Sequence, residues 1–180
     1  MTPTAMQTPD PSGLPRDQIA ALPVRLREDG GLEVLLVTSR ETRRWIIPKG
    51  WPMDGLRDDA AAGVEALEEA GVKGKLLSEP VGRYAYWQRG RLQTRYNQVD
   101  VFLLRVGKVL KSWKEKGQRE RRWFSVVEAA DLVQEPDLGQ LFLRLPGHPE
   151  VRRFMGLDAK RRGKKASADK PAGGKQASAG

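Results

Sequence analysis

Glu65, Glu68 and Glu69 fall at i, i+3 and i+4 within Asp59–Ala70, where small or apolar residues at 60, 64, 67 and 71 recur at helical spacing. On a helix the three carboxylates share one face, leaving Ala60, Val64, Leu67 and Gly71 on the opposite side to pack against a sheet. Like charges on neighbouring turns repel, by roughly 0.2–0.5 kcal/mol per pair in an isolated helix. Such a face either lies open in water as a solvated acidic surface or gathers around a cation. Gly50 follows a short β-rich stretch and has no side chain, so its backbone carbonyl can approach the same spot. The chain has no cysteine and one histidine, His148. A metal centre must therefore be built from oxygen ligands, which suits hard ions such as Mg²⁺, Mn²⁺ or Ca²⁺.

The wider segment Gly50–Val72, GWPMDGLRDDAAAGVEALEEAGV, resembles the Nudix box. That pattern reads Gly, five residues, Glu, seven residues, then Arg-Glu-apolar-any-Glu-Glu-any-Gly-apolar. Gly50, Glu65, Ala66, Glu68, Glu69, Gly71 and Val72 stand at their places, while Leu56 replaces the first Glu and Val64 the Arg. Flanking segments agree: LEVLLVTSRETRRWIIPKGWP looks like the strands leading into the box, and GQRERRWFSVVEAADLV like the closing strand and helix. The resemblance covers about residues 18–145 and implies an α/β (α+β) fold, an α/β/α sandwich around a mixed sheet.

It also implies roles. Glu65, Glu68 and Glu69, with the Gly50 carbonyl, would ligate Mg²⁺ or Mn²⁺, and such ions neutralise diphosphate oxygens and activate a water that attacks phosphorus. Glu68 and Glu69 are thereby the catalytic candidates. Glu120, ahead of Trp123-Phe124, is the candidate for the further acid that members draw from outside the box, or else one partner among Arg119, Arg121 and Arg122. In the family the box Arg steadies the glutamates and pairs with the earlier Glu. Losing both members together avoids an orphan charge, since an apolar pair can replace an ion pair at little cost in stability. What loses support is the aim of Glu65.

These residues need positioning elements. Ile19–Leu26 and Leu32–Thr38 are β-rich and joined by Asp29-Gly30-Gly31, which predicts a hairpin. Trp45–Ile47 predicts a short strand closed by Pro48, and Val81–Gln88 with Leu92–Val106 a second hairpin across Arg89-Gly90. Arg121–Phe124 predicts another strand, Val126–Val133 a helix with Ser125 as its N-cap, and Gly139–Leu145 a last short helix. Residues 1–16, with four prolines, and the tail 157–180, rich in Ala, Gly, Ser and Lys, are expected to be disordered around a domain at 17–156.

Of the net charge of +9, seven Lys or Arg against two Asp in 157–180 contribute +5, leaving +4 for the rest. The tail is thus a possible nucleic-acid contact or simply a solubilising segment, and the oligomeric state stays open. No apolar run approaches membrane-spanning length and the N-terminus lacks a secretory pattern, so a cytoplasmic protein without membrane contact is expected. Arg40, Arg44, Lys49, Arg95, Arg119 and Arg121 are the candidate substrate-binding residues, in a wider basic set with Arg43, Arg89, Arg91 and Arg122. Arginine pairs bidentately with phosphate oxygens, so this set suits a polyphosphorylated small molecule. Trp51, Tyr84, Tyr86, Trp87 and Tyr96 are available to stack on a base or to pack in the core.

The stretches Ser39–Pro52 and Glu115–Phe124 look most like the branch that hydrolyses diphosphoinositol polyphosphates and diadenosine polyphosphates. The alternatives are a Nudix enzyme acting on nucleoside triphosphates, nucleotide sugars or RNA 5′ ends, and a catalytically weak module that binds polyphosphate or RNA.

Overall fold

The computed structural model describes residues 16–90, 92 and 94–158. The expectations for residues 1–15, Arg91 and 159–180 lie outside the described residues.

Strand β1 (Arg16–Leu26) and β2 (Leu32–Thr38) form the first hairpin, in register Val24↔Val34, with Gly30 at φ 86° in the connecting turn. The turn is further held by the Asp29 carboxylate, which accepts from Gly31 N–H at 2.8 Å and from Arg27. Strands β3 (Trp45–Ile46) and β4 (Lys49–Gly50) are two residues each, separated by Ile47-Pro48. The box helix comes next as α1 (Asp58–Glu65) and runs directly into a π turn, Ala66–Ala70. Then come β5 (Val72–Leu76), β6 (Gly82–Arg89) and the long β7 (Thr94–Val109). The chain continues through β8 (Arg121–Ser125), α2 (Val126–Leu132), α3 (Pro136–Arg144) and α4 (Pro149–Met155).

These eight strands make one mixed sheet in the order β3-β2-β1-β7-β5, with β4 also paired to β1, β6 to β7 and β8 to β2. Its centre is the parallel pair β1–β7, nine residues in register from Arg16↔Asn97 to Val24↔Arg105. Over residues 19–24 and 101–104 the two central strands are buried on both sides, which explains the continuous apolar runs there. Side chains alternate between two cores. Ala20, Leu22, Val24, Val34, Leu36, Val99, Val101 and Leu103 face α2–α4, meeting Ala129, Leu138, Phe142, Val151 and Met155. Ile19, Ala21, Leu35, Val37, Phe102 and Leu104 face the box helix, meeting Ala61, Ala62, Ala66 and Ala70. Helices therefore cover both faces, the α/β/α arrangement that the sequence implies.

Ser125 caps α2 in a reciprocal box: its hydroxyl accepts from Glu128 N–H while the Glu128 carboxylate accepts from Ser125 N–H. Leu157 packs partly against the α2–α4 core, and Asp158 accepts from Arg152 at 2.7 Å.

The box helix differs from its expected packing. Ala60 is exposed, and Val64 and Leu67 are only half-buried; the buried residues are Ala61, Ala62, Ala66, Glu69 and Ala70. The buried residues themselves recur at helical spacing, Ala62, Ala66 and Glu69 with Ala70, so the helix packs by its alanines, on the face opposite the stripe through Val64 and Leu67. Glu69 shares that alanine face and turns inward.

Candidate active site

Strand β4 and the end of the box helix bring the first groups together. Pairing of β4 with β1, in register Ile19↔Gly50 and Ala20↔Lys49, fixes Gly50 beside the helix. A Cβ on Gly50 would overlap the Glu65 carboxylate, so glycine is what allows that carboxylate to lie on the backbone. Lys49 N–H, the next donor along β4, gives a hydrogen bond to Glu69 Oε2 at 3.2 Å.

The far end of the helix is held by the segment from Leu110 to Arg121. The last carbonyls of a helix have no partner within it, and here those of Glu68, Glu69 and Ala70 are met from this segment. Gly71, at φ 63°, closes the turn by donating to the Leu67 carbonyl at 3.1 Å. The Glu68 carbonyl accepts from Glu115 N–H at 3.1 Å, and that of Glu69 from Trp113 Nε1 at 3.2 Å. Arg121 donates to the carbonyls of Ala70 (2.6 Å), Gly71 (3.3 Å) and Leu110 (2.7 Å), with its guanidinium stacked 3.8 Å over the Trp113 ring. The segment is tied back to the β2–β3 loop in turn. Arg43, at φ 56°, donates to Gln118 O and Glu120, and Thr38 exchanges hydrogen bonds with Glu120 N–H and its carbonyl.

Each carboxylate consequently has its own surroundings. Glu65 is half-buried; burial first, then the nearby charges of Glu68 and Glu115, raise its pKa above the usual carboxylate range. Among the described residues it makes no ion pair, whereas Glu68 pairs with Lys114 Nζ at 2.6 Å and Glu69 with Arg119 at 2.5 Å. Glu69 is buried, and desolvation pushes its pKa up to about 7 against the pull of Arg119. Arg119 also pairs with Glu115 at 2.5 Å.

The substrate-binding candidates divide. Arg119 is buried on Glu69 and Glu115, and Arg121 is occupied with backbone carbonyls. Arg44 bridges to Gln134 and Glu135 at the α2–α3 junction, both at 3.0 Å. Arg40 is exposed, 3.9 Å from Glu115, and Lys49 extends its ammonium 5.0 Å from the Tyr86 ring. Arg95 lies on β7 opposite Gln88, on the second hairpin. Glu120 is turned to solvent and paired with Arg43 at 2.6 Å. The acid from outside the box that reaches the cluster is Glu115, which sequence reasoning did not single out, nor did it find Trp113 and Lys114. They sit some 45 residues from the box in a stretch without periodicity, so only the fold reveals them. Leu56, expected in an apolar pair with Val64, is exposed on the loop before α1. Of the aromatics, Tyr84 is in the core, Tyr86 donates to Gln18 Oε1 at 2.6 Å, and exposed Trp87 rests on Tyr96.

The residues that the box resemblance assigns to a metal ion are oxygen donors of Glu65, Gly50, Glu68 and Glu69. Among the described residues, no three His, Cys, Asp or Glu side chains are arranged to hold an ion, with Glu68 and Glu69 given to Lys114 and Arg119. The seat of Glu65 on Gly50 nonetheless fits a hard cation: a carboxylate without an ion pair among the described residues lies directly against the glycine.

Known proteins resemble this chain in sequence and in fold. The chain is 38% identical over 136 residues to mouse diphosphoinositol polyphosphate phosphohydrolase 3-alpha, covering 73% of this chain and 77% of that protein. It is 39% identical over 113 residues to Arabidopsis thaliana Nudix hydrolase 12, covering 57% of this chain; it spans only 53% of that relative's length, and 60% of the length of Nudix hydrolase 21. In fold it resembles the crystal structure of a C. elegans Ap4A hydrolase, with TM-score 0.55 at 17% identity over 74% of this chain and 98% of that one. A family profile described as the NUDIX domain matches residues 16–145, spanning the box, the sheet and the segment that clasps the box helix, and on that extent this chain belongs to the Nudix family.

Proposed function

We propose that the chain hydrolyses a phosphoanhydride bond with a divalent metal ion, Mg²⁺ or Mn²⁺, held at the end of the box helix. The observation that carries this reading is Glu65, a half-buried carboxylate seated on Gly50, raised by burial and by two acidic neighbours, and without an ion pair among the described residues. Nudix hydrolases generally use divalent metal ions. A bound ion would neutralise diphosphate oxygens and lower the pKa of a water at the scissile phosphorus. Glu65 and the Gly50 carbonyl form one side of its site. Glu68 and Glu69 complete it, Glu69 with both oxygens already oriented by Arg119 and Lys49 N–H. Glu115 is the additional carboxylate at hand to accept a proton.

The substrate is a polyphosphorylated small molecule such as a diphosphoinositol polyphosphate or a diadenosine polyphosphate. The first is supported by the name of the mouse relative, matched over most of its length, and both fit a rim where Arg40 and Lys49 extend beside the acidic cluster. The deciding experiment is a panel of these substrates with nucleoside triphosphates, nucleotide sugars and triphosphate RNA, under Mg²⁺ or Mn²⁺, with both products identified. Glu69→Gln and Glu68→Gln should each lower turnover roughly a hundredfold or more. Near-normal turnover by Glu69→Gln would place the chemistry elsewhere.

A further inference from the structure

The family pattern places an arginine on the helix, where this chain has Val64, half-buried and uncharged. A cation reaches the box carboxylates all the same, from a different part of the chain. Arg119 lies 50 residues beyond Glu69 in sequence, on the segment that clasps the π turn, and its side chain is only 6% exposed. Its guanidinium is committed in three directions: Nε to Glu115 Oε2 at 2.5 Å, Nη1 to the Thr38 carbonyl at 3.0 Å, and Nη2 to Glu69 Oε1 at 2.5 Å.

The geometry points to Arg119 as a positioning residue for Glu69, doing from the 110–121 segment what the pattern assigns to an arginine on the helix. This rests on the metal-dependent reading above. Buried, and bound through all three nitrogens, Arg119 has little left to offer a substrate phosphate. A planar, forked guanidinium can anchor on the β2 backbone and on Glu115 while fixing one carboxylate oxygen, which a lysine cannot do in one geometry. Glu69 is then pinned at both ends, Oε1 by Arg119 and Oε2 by Lys49 N–H, one residue from the glycine that seats Glu65. A carboxylate oxygen has two acceptor directions, so an oxygen held in this way can still bind an ion.

The test uses the full chain with Arg119→Gln, Arg119→Lys, Glu69→Gln and the Glu69→Gln/Arg119→Gln double variant. Three quantities are read: kcat and KM on the best substrate of the panel, Mn²⁺ affinity by electron paramagnetic resonance, and metal-free melting temperature. Arg119→Gln should lower kcat about 10–100-fold with KM within about threefold, and weaken Mn²⁺ binding about tenfold, the scale of losing a group that orients a metal ligand. Arg119→Lys should recover part of both and, if the Gln variant does not fold, carries the test by giving intermediate values. The double variant should be no worse than Glu69→Gln, because both changes remove one interaction. A raised KM at unchanged kcat would return Arg119 to substrate binding, and tighter Mn²⁺ binding would make it a competitor of the ion. A lower melting temperature with kcat and Mn²⁺ affinity unchanged would make it ordinary scaffold. Should the wild type turn over no phosphoanhydride, the proposed function fails, while the Mn²⁺ measurements still decide the role of Arg119.

Discussion

Three glutamates that look equivalent in sequence become three different groups once folded. Glu65 lies against Gly50, Glu68 reaches a surface lysine, and Glu69 is buried on Arg119. Gly50→Ala would push a methyl group into the Glu65 carboxylate while leaving the core untouched. Turnover should fall about a hundredfold, as a displacement of about 1 Å at a reacting centre can cost, with the melting temperature nearly unchanged; normal activity would show that the close approach is dispensable. Glu69 carries a pH signature in the metal-free protein. Its folded pKa, about 7, lies above its ordinary value of 4.5, so the fold favours the protonated form. That stabilisation is complete below about pH 4.5 and is lost as pH rises through about 7. Melting temperatures in chelator should therefore fall across that window, and Glu69→Gln should flatten the decline, matching wild type near pH 5 and equalling or exceeding it near pH 8. A parallel decline in the variant would assign the slope to other groups.

Among the elements, the box helix shows both how far the sequence can be read and where reading stops. The placing of Glu65, Glu68 and Glu69 on one helix and the first hairpin were legible, because each arises from local spacing or turn chemistry; the closing role of Gly71, read as part of a packing stripe, was not. Neither the π turn nor the packing face was legible, since nothing in ALEEA announces an extra residue and the stripe ran through the larger Val64 and Leu67 rather than the small Ala61, Ala62, Ala66 and Ala70. The roles of Arg119 and Glu115 escaped for another reason: contacts across 50 residues depend on how β7 and β8 return to the helix. Gly71 joins the two halves of the clasp. Its φ of 63° disfavours any side chain, and a Cβ there would meet the Trp113 ring at 2.7 Å and Arg121 at 2.8 Å. Gly71→Ala should cost about 1–3 kcal/mol of stability, the range for a side chain forced into left-handed backbone. Denaturant midpoints measure it, and a loss below about half a kcal/mol, under that range, would mean that the clasp yields easily.

At the scale of the molecule, one sheet sandwiched between helices carries the site where β4 pairs with the central strand β1, so the acidic cluster is set by the rigid centre of the fold rather than by a free loop. The class of fold was legible from alternating strand and helix signals; the parallel β1–β7 pairing, which makes the sheet mixed, was not, because strands 80 residues apart leave no trace of each other in a single sequence. The clasp of 110–121 on the π turn has a consequence in time. Closing so long a loop is slow relative to forming a helix or a hairpin, so the chain can acquire its cores before Trp113, Glu115 and Arg119 come to rest on the helix end. On dilution from denaturant, far-ultraviolet ellipticity should recover first, and turnover should return with a lag, together with the fluorescence change of Trp113 isolated by replacing the other tryptophans with phenylalanine. Simultaneous recovery of all three signals would mean that the site and the sheet assemble in one step.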